Sequence, residues 1–94
     1  MRRPEAVASS DARGATRPVR IMIVDGDIKS SSSLEVMLRA SGHSQTCAAY
    51  SGHAALAIAA DFRPSMVLLE LNLLDMTGYE VAHVLRGRAQ AGEL

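Results

Sequence analysis

The chain is poor in the residue types that build disulfides, aromatic clusters and membrane spans. Its 94 residues include one cysteine, no tryptophan, two tyrosines and one phenylalanine. The single cysteine, Cys47, cannot form an internal disulfide, which fits a reducing compartment. No apolar stretch approaches the length of a transmembrane helix, so we predict no membrane partner.

The N-terminus is basic but has no apolar segment behind it, which argues against a secretory signal. Residues 1–19 carry four arginines and two acidic residues among small residues without apolar periodicity. We predict a disordered basic tail at 1–19, a folded domain at 20–94 and a cytoplasmic location. A mitochondrial-type transit peptide is left open, although Glu5 and Asp11 weaken it.

Two further functions are disfavoured by what is missing. The arginines of the tail could contact nucleic acid, yet the chain has no recognition motif, no zinc-ligand spacing and no set of stacking aromatic residues. We therefore do not expect nucleic-acid binding. The histidines lie on separate predicted elements, which indicates neither a metal triad nor a phosphohistidine site: His43, His53 and His83.

Two apolar stretches end abruptly in acidic residues. Residues 21–24 run into Asp25-Gly26-Asp27, and residues 66–69 are followed by Glu70. Continuous apolar stretches of this length are typical of strands covered on both faces of a parallel sheet. In open α/β sheets, ligands bind outside the carboxyl ends of the strands. We therefore expect Asp25, Asp27 and Glu70 to share one acidic pocket.

The remaining pattern predicts helices between the strands. Helical spacing predicts a helix at about 29–41, and Gly42 follows it as a cap. A weak strand at 43–49 precedes a turn, in which Ser51 can cap an alanine-rich helix ending before Pro64. Thr77-Gly78-Tyr79-Glu80 has the form of a capping box that starts the last helix. The fold class is thus α/β, a three-layer open parallel sheet with order β-α-β-α-β-α and the first strand in the middle.

Several motifs in this order carry a family resemblance. They are the strand ending at Asp25, the turn Ser51-Gly52-x-x-Ala55-Leu56, the pair Arg63-Pro64 and, most specifically, residues 67–81. Over residues 20 to about 88 the chain resembles a two-component response-regulator receiver domain, whose fold is flavodoxin-like. The resemblance implies a signalling module in a phosphorelay, not an enzyme, with a histidine kinase or another signalling protein as its partner.

The chain departs from this family at its two most important positions. The resemblance implies a phosphoacceptor aspartate at the third strand end and Mg²⁺-binding acids at the first. Here Glu70 matches the acceptor, and Gly26 stands where the more direct metal-binding acid is expected. Asp25 and the backbone carbonyl of Asn72 remain as weak metal ligands. We therefore expect no bound cofactor and weakened Mg²⁺ binding.

Glu70 admits several interpretations. It can be a degenerate acceptor that is not phosphorylated, a carboxylate that partly imitates the phosphorylated state, or an unusual working acceptor. It can also be an acidic residue that ends a strand and has no role. A single carboxylate charge is a poor substitute for a phosphate of about −1.5 to −2, so constitutive activation is not assumed.

The resemblance also implies two further strands and a lysine that pairs with the acceptor. This sequence contains neither. Its only lysine is Lys29, just after the first strand. We therefore predict a receiver truncated after its third helix, with the third strand as an apolar sheet edge. Such a domain should be marginally stable or self-associate through that edge. Met22, Met37 and Met66 are expected in the core.

An enzymatic alternative rests on Asp25-Gly26-Asp27. An aspartate pair at this spacing after an apolar strand resembles the first motif of haloacid-dehalogenase-like phosphatases, in which one aspartate is the nucleophile and the second a general acid/base. Lys29 occupies a position where that motif carries Thr or Val. The chain also has no later lysine with paired acids. A phosphatase fragment using Asp25 and Asp27 is the alternative to the signalling module.

Overall fold

The computed structural model describes residues 18–94. The predicted disordered tail at 1–19 falls almost entirely on residues 1–17, so that prediction lies outside the described residues. Pro18 and Val19 precede the first strand and have no regular secondary structure.

Three parallel strands form one open sheet. Strand β1 spans Arg20–Val24, β2 spans Gln45–Ala49 and β3 spans Met66–Leu69. The order across the sheet is β2-β1-β3, so β1 pairs with both neighbours. This order matches the start of the flavodoxin-like arrangement. The prediction of an open parallel sheet with the first strand in the middle is confirmed.

Three helices alternate with the strands. Helix α1 spans Ile28–Ala40, α2 spans Gly52–Phe62 and α3 spans Gly78–Gln90. Helices α2 and α3 contact each other and share one apolar cluster with the face of β1 that carries Met22. Side chains alternate along a strand, and α1 lies on the opposite face. The predicted three layers are therefore present.

The helix starts are held by the side chains that the sequence indicates for α2 and α3. The hydroxyl of Ser51 accepts a hydrogen bond from Ala54 N at 3.0 Å. Thr77 Oγ1 accepts from Glu80 N, and Glu80 Oε1 accepts from Thr77 N, which makes a complete capping box. Both caps satisfy amides that have no partner inside the helix. The helix starts fix where the connecting loops leave the sheet.

The core is small and centred on β1. All four apolar residues of β1 are buried, because helices cover both faces of this central strand. Small side chains at Ala49, Ala55 and Ala59 let α2 approach the sheet closely, and Val81 and Leu85 complete the cluster from α3. The apolar stretch 21–24 thus has the double burial that its composition predicts.

The prediction that three methionines belong to the core is wrong for two of them. Met22 is fully buried, but Met37 is 62% exposed and Met66 is 48% exposed. Met37 lies on the outward side of α1, and Met66 begins β3 at the edge of the sheet. Unbranched apolar side chains suit both environments, so composition alone does not separate them. None of the helices within residues 18–94 has the length and apolar character needed to cross a membrane.

Candidate functional site

The predicted acidic residues lie at the carboxyl edge of the sheet. Asp25 N donates to Ala49 O at 3.0 Å, and Glu70 N donates to Val24 O at 2.9 Å. Each acid therefore continues the hydrogen-bond ladder by one residue beyond its strand. This backbone pairing fixes both residues at neighbouring strand ends.

A cleft of about 320 Å³ joins these strand ends. Its lining combines the turn after β1 with the loop after β3: Asp25, Gly26, Asp27, Glu70, Asn72, Leu73 and Leu74. The structure thus brings together the three acids that the sequence places in one pocket. Two loops from adjacent parallel strands produce this meeting, as the topology requires.

Asp25 takes part in a local turn. Its Oδ1 atom accepts a hydrogen bond from Asp27 N at 2.9 Å. An aspartate that bonds the amide two residues ahead forms an Asx turn, which redirects the chain. Asp25 therefore shapes the path from β1 into α1 while it lines the cleft.

Asp27 is the N-cap of α1. Its Oδ1 atom accepts from Lys29 N at 3.0 Å, and its Oδ2 atom accepts from Ser30 Oγ at 2.9 Å. The hydroxyl bond from Ser30 and the amide bond from Lys29 lower the pKa of Asp27, since both favour the carboxylate. Asp27, one of the three predicted pocket acids, is thus engaged in helix capping.

Glu70 folds back over its own loop. Its Oε2 atom accepts a hydrogen bond from Asn72 N at 3.2 Å, and the residue is exposed. The glutamate side chain makes this contact within its own loop, and Glu70 still lines the cleft. The backbone amide of Asn72 therefore contacts Glu70. The backbone of Asn72 also pairs with Thr77 in an isolated antiparallel bridge.

Gly26 contributes no side chain to the cleft. Its φ lies outside the positive range, and a Cβ atom built on it would meet only Tyr50 O, at 3.7 Å. That distance is ordinary van der Waals contact. The backbone at position 26 therefore accommodates a side chain, and only the residue type leaves this position without a carboxylate.

The described residues offer few side-chain ligands for a magnesium ion. Mg²⁺ requires near-octahedral oxygen ligation. Among residues 18–94, no three His, Cys, Asp or Glu side chains are grouped so that they could hold a metal ion. Asp27 is committed to Lys29 and Ser30, which leaves Asp25, Glu70 and backbone carbonyls as oxygen donors facing the cleft.

The sequence did not identify the role of Asp75. Its Oδ1 atom accepts from Gly52 N and its Oδ2 atom from His53 N, each at 2.8 Å. Oδ2 also lies 2.6 Å from Nδ1 of His53. The amide bonds from His53 and Gly52 hold the pKa of Asp75 far below its ordinary value. Asp75 therefore caps α2 from a distant loop and ties the β3–α3 loop to that helix.

This contact spans 23 residues and joins a loop to the start of another helix. The sequence does indicate that α2 begins with amides in need of an acceptor, because Gly52 and His53 follow the N-cap. The identity of the acid that reaches them depends on the loop path, which no local pattern specifies.

Comparison with known proteins decides the family. Residues 21–93 match the family model of the response regulator receiver domain. The chain belongs to this family. The matched region includes the sheet, the three helices and the acidic cleft, and the predicted family resemblance is confirmed. Receiver domains are signalling modules of two-component systems.

Named relatives agree with this assignment. The chain is 39% identical over 67 residues to the DNA-binding response regulator MtrA of Mycobacterium tuberculosis (strain ATCC 25618 / H37Rv) and of Mycobacterium leprae (strain TN). The same identity holds for MtrA of Mycolicibacterium smegmatis. The match covers 71% of this chain but only 29% of each relative. The chain thus corresponds to less than a third of those proteins.

Proposed function

We propose that this receiver domain acts in a two-component phosphorelay without accepting a phosphoryl group. It then works by binding a histidine kinase or another signalling protein and catalyses no reaction. We further propose a cytoplasmic location. Family membership supports the signalling role, and the condition of the acidic cleft supports the loss of phosphoryl acceptance.

The observation that carries the proposal is that each of the three acids accepts a hydrogen bond from a nearby backbone amide. Asp27 caps α1, Asp25 bonds the amide of Asp27, and Glu70 bonds the amide of Asn72. Phosphoryl transfer needs a cation and an in-line position for the acceptor oxygen. With Gly26 supplying no ligand and Glu70 folded back on its loop, neither requirement is supported by the cleft.

Glu70 does not support permanent activation either. A carboxylate carries one negative charge, and a phosphorylated aspartate carries about −1.5 to −2 with three acceptor oxygens. One oxygen of Glu70 accepts a bond from its own loop. Within residues 18–94, the side chain of Glu70 makes this hydrogen bond to its own loop and none to a helix. Among the interpretations of Glu70, the unphosphorylated acceptor position is the best supported.

The phosphatase alternative has no specific support from the geometry. It would require the carboxylate of Asp27 to exchange a proton with substrate, as general acid or base. Both oxygens of Asp27 accept local hydrogen bonds, and its lowered pKa disfavours the acid form near neutral pH. The signalling role is therefore the one we propose.

The relatives are DNA-binding by name, and that property is theirs. The aligned region covers 29% of each of them. From residue 21 onward this chain has five basic and eight acidic residues, which disfavours a surface attracted to phosphate backbones. We therefore propose a protein partner and no nucleic acid for the folded domain.

Treatment with acetyl phosphate and Mg²⁺ tests the proposal. Transfer to a carboxylate would release acetate and add the mass of one phosphoryl group. We expect the intact mass of the unaltered chain to stay unchanged. Glu70→Asp combined with Gly26→Asp restores the family's residue types at both positions and should be labelled more than the unaltered chain.

Glu70→Gln is the matched control, since it keeps the side-chain shape and removes the carboxylate. Labelling of the unaltered chain that disappears in Glu70→Gln would show that Glu70 is a working acceptor. That result would overturn the proposal. Equal, low labelling of both chains would reflect chemistry elsewhere on the surface and would leave it standing.

A further inference from the structure

The loop between β3 and α3 is closed at its base. Gly78 N donates to Leu71 O at 2.8 Å, and Asn72 pairs with Thr77 in an isolated antiparallel bridge. These contacts hold the two ends of the loop together and leave residues 73–76 as its tip. The tip forms neither helix nor strand, so its side-chain contacts decide where it rests.

The tip lies between the acidic cleft and the start of α2. Leu73 and Leu74 line the cleft. Met76 packs against the apolar cluster, and a Cβ atom on Gly52 would overlap its side chain. Asp75 bonds the first amides of α2. A change in how the tip is held on α2 would therefore move residues that line the cleft.

The hydrogen bonds between the tip and α2 within residues 18–94 all go to the carboxylate of Asp75. It accepts from Gly52 N and His53 N, each at 2.8 Å, and lies 2.6 Å from Nδ1 of His53. The amide bonds hold the pKa of Asp75 far below its ordinary value, so this group stays ionised near neutral pH. The imidazole is the member of the contact that changes its charge between about pH 5 and 8.

The His53 ring is open to solvent away from the carboxylate. Its side chain is 79% exposed, and that of Asp75 is 25% exposed. A neutral imidazole can donate one N–H to the carboxylate, and a protonated imidazole adds the attraction between opposite charges. Water and salt screen a contact this exposed, so the added attraction is modest.

Asp75 provides the only carboxylate that pairs with the His53 ring within residues 18–94. The elements packed against the first half of α2 carry other charged or titratable groups, namely Asp25, Cys47, Tyr50, Glu80, His83 and Arg88. Asp25 and Glu80 accept hydrogen bonds from backbone amides of their own turns. The charge on the His53 ring therefore acts mainly on Asp75.

We propose that His53 and Asp75 form a proton-dependent latch that holds the β3–α3 loop on α2. The protonated imidazole keeps the tip in place, and loss of the proton lets the tip leave α2 more often. Release moves Leu73 and Leu74 and so changes the wall of the acidic cleft. Control of partner binding by this latch rests on the proposed function, because it requires a partner that binds at the cleft. The latch itself does not require one.

Amide exchange rates of the full chain, measured by NMR and divided by the intrinsic rate at each pH, test the latch. We expect the protection of the Gly52 and His53 amides, which donate to Asp75, to be about two- to fivefold higher at about pH 5.5 than at about pH 7.5. Protection of these amides that does not change with pH would overturn the proposal.

Two amides serve as internal references. Ala54 N donates to Ser51 Oγ in the same helical turn, and Ile23 lies in the central strand. Neither should follow the change expected at Gly52. An equal change at Ala54 would mean fraying of α2, and an equal change at Ile23 would mean altered global stability, and either result would contradict the latch.

His53→Gln and His53→Arg separate charge from hydrogen bonding. Glutamine is a neutral donor at every pH, and arginine stays positively charged. The exposed position tolerates both side chains. We expect the protection of the Gly52 amide to be independent of pH in both variants and higher with arginine. His83→Gln, which removes the exposed histidine of α3, should keep the profile of the unaltered chain.

A pH profile of His53→Gln that matches the unaltered chain would refute the latch, and so would loss of the pH dependence in His83→Gln. These measurements need no partner and no phosphoryl donor. Their outcome is therefore separate from that of the acetyl phosphate experiment, which tests the proposed function.

Discussion

Two aspartates near the cleft stabilise helix starts. Asp27 caps α1 from within its own turn, and Asp75 caps α2 from the loop after β3. A carboxylate at a helix N-terminus satisfies free amides and interacts favourably with the helix dipole. The acidic character of this edge of the sheet is thus largely structural. Fewer carboxylates are left to bind a cation.

Asp75→Asn should lower the urea midpoint at neutral pH, because an amide oxygen cannot accept both bonds as a carboxylate does. The depressed pKa of Asp75 means that its stabilising contribution is present above the ordinary value of 3.8 and is lost as pH falls through the folded pKa. The difference in urea midpoint between the variant and the unaltered chain should therefore narrow below about pH 4.

Urea unfolding followed by circular dichroism from neutral to acidic pH measures this difference. Asp61→Asn, which removes an exposed aspartate from the same helix α2, is the control and should have a small effect at every pH. If the urea midpoint of Asp75→Asn is lower by the same amount at every pH, the effect of the substitution does not come from the carboxylate charge.

At the scale of elements, the approach of α3 to the end of β3 fixes the loop between them. Gly78 N bonds Leu71 O, and a Cβ atom at position 78 would lie 2.5 Å from Glu70 O. Backbone atoms cannot move aside as a flexible side chain can. The first turn of α3 therefore requires glycine for close contact and not for its φ angle.

Gly78→Ala should destabilise the domain by about 1–3 kcal/mol through this backbone clash. Gly87→Ala, in the same helix, should stabilise it by up to about 1 kcal/mol, since a Cβ atom there meets nothing within 4 Å and alanine is the better helix former. Chemical denaturation of both variants gives the two free energies of unfolding. Similar signs for the two substitutions would contradict the assigned role of Gly78.

The elements that local patterns specify were predictable. Two apolar stretches ending in acids marked β1 and β3, and Ser51 and the Thr77–Glu80 capping box marked the starts of α2 and α3. Helix α1 was predicted at 29–41 and spans Ile28–Ala40. The sequence predicts its N-cap, Asp27, as a pocket acid or as a phosphatase residue and not as a cap, because an acid after a strand fits all of these roles.

Features that depend on contacts distant in sequence were not predictable in the same way. Asp75 reaches α2 only because the loop after β3 returns across the edge of the sheet. Met37 and Met66 are apolar residues in predicted elements. Their exposure follows from the outer side of α1 and from the outer position of β3 in the three-stranded sheet of residues 18–94. The location of the cleft followed from topology, whereas the hydrogen-bond partners of its acids required the fold.

For the whole molecule, the acidic cleft depends on the sheet order. The turn after β1 and the loop after β3 meet only because these strands are neighbours. The three strands and three helices of the family fold are present, and the proposed change in chemistry rests on a few side chains. Gly26 supplies no carboxylate, Asp27 caps a helix, and Glu70 stands where the resemblance implies the acceptor aspartate. We infer that this receiver has lost its cation site and, with it, phosphoryl acceptance.

A Mg²⁺ titration followed by ¹H–¹⁵N spectra tests this loss most directly, comparing the unaltered chain with Gly26→Asp and the uncharged control Gly26→Asn. The amides of Asp25, Gly26 and Glu70 should show no saturable shift at millimolar Mg²⁺ in the unaltered chain. Gly26→Asp, which adds a carboxylate where there is room for one, should give saturable binding, and Gly26→Asn should not. If the unaltered chain binds Mg²⁺ saturably and as tightly as Gly26→Asp, the inferred loss of the cation site is wrong.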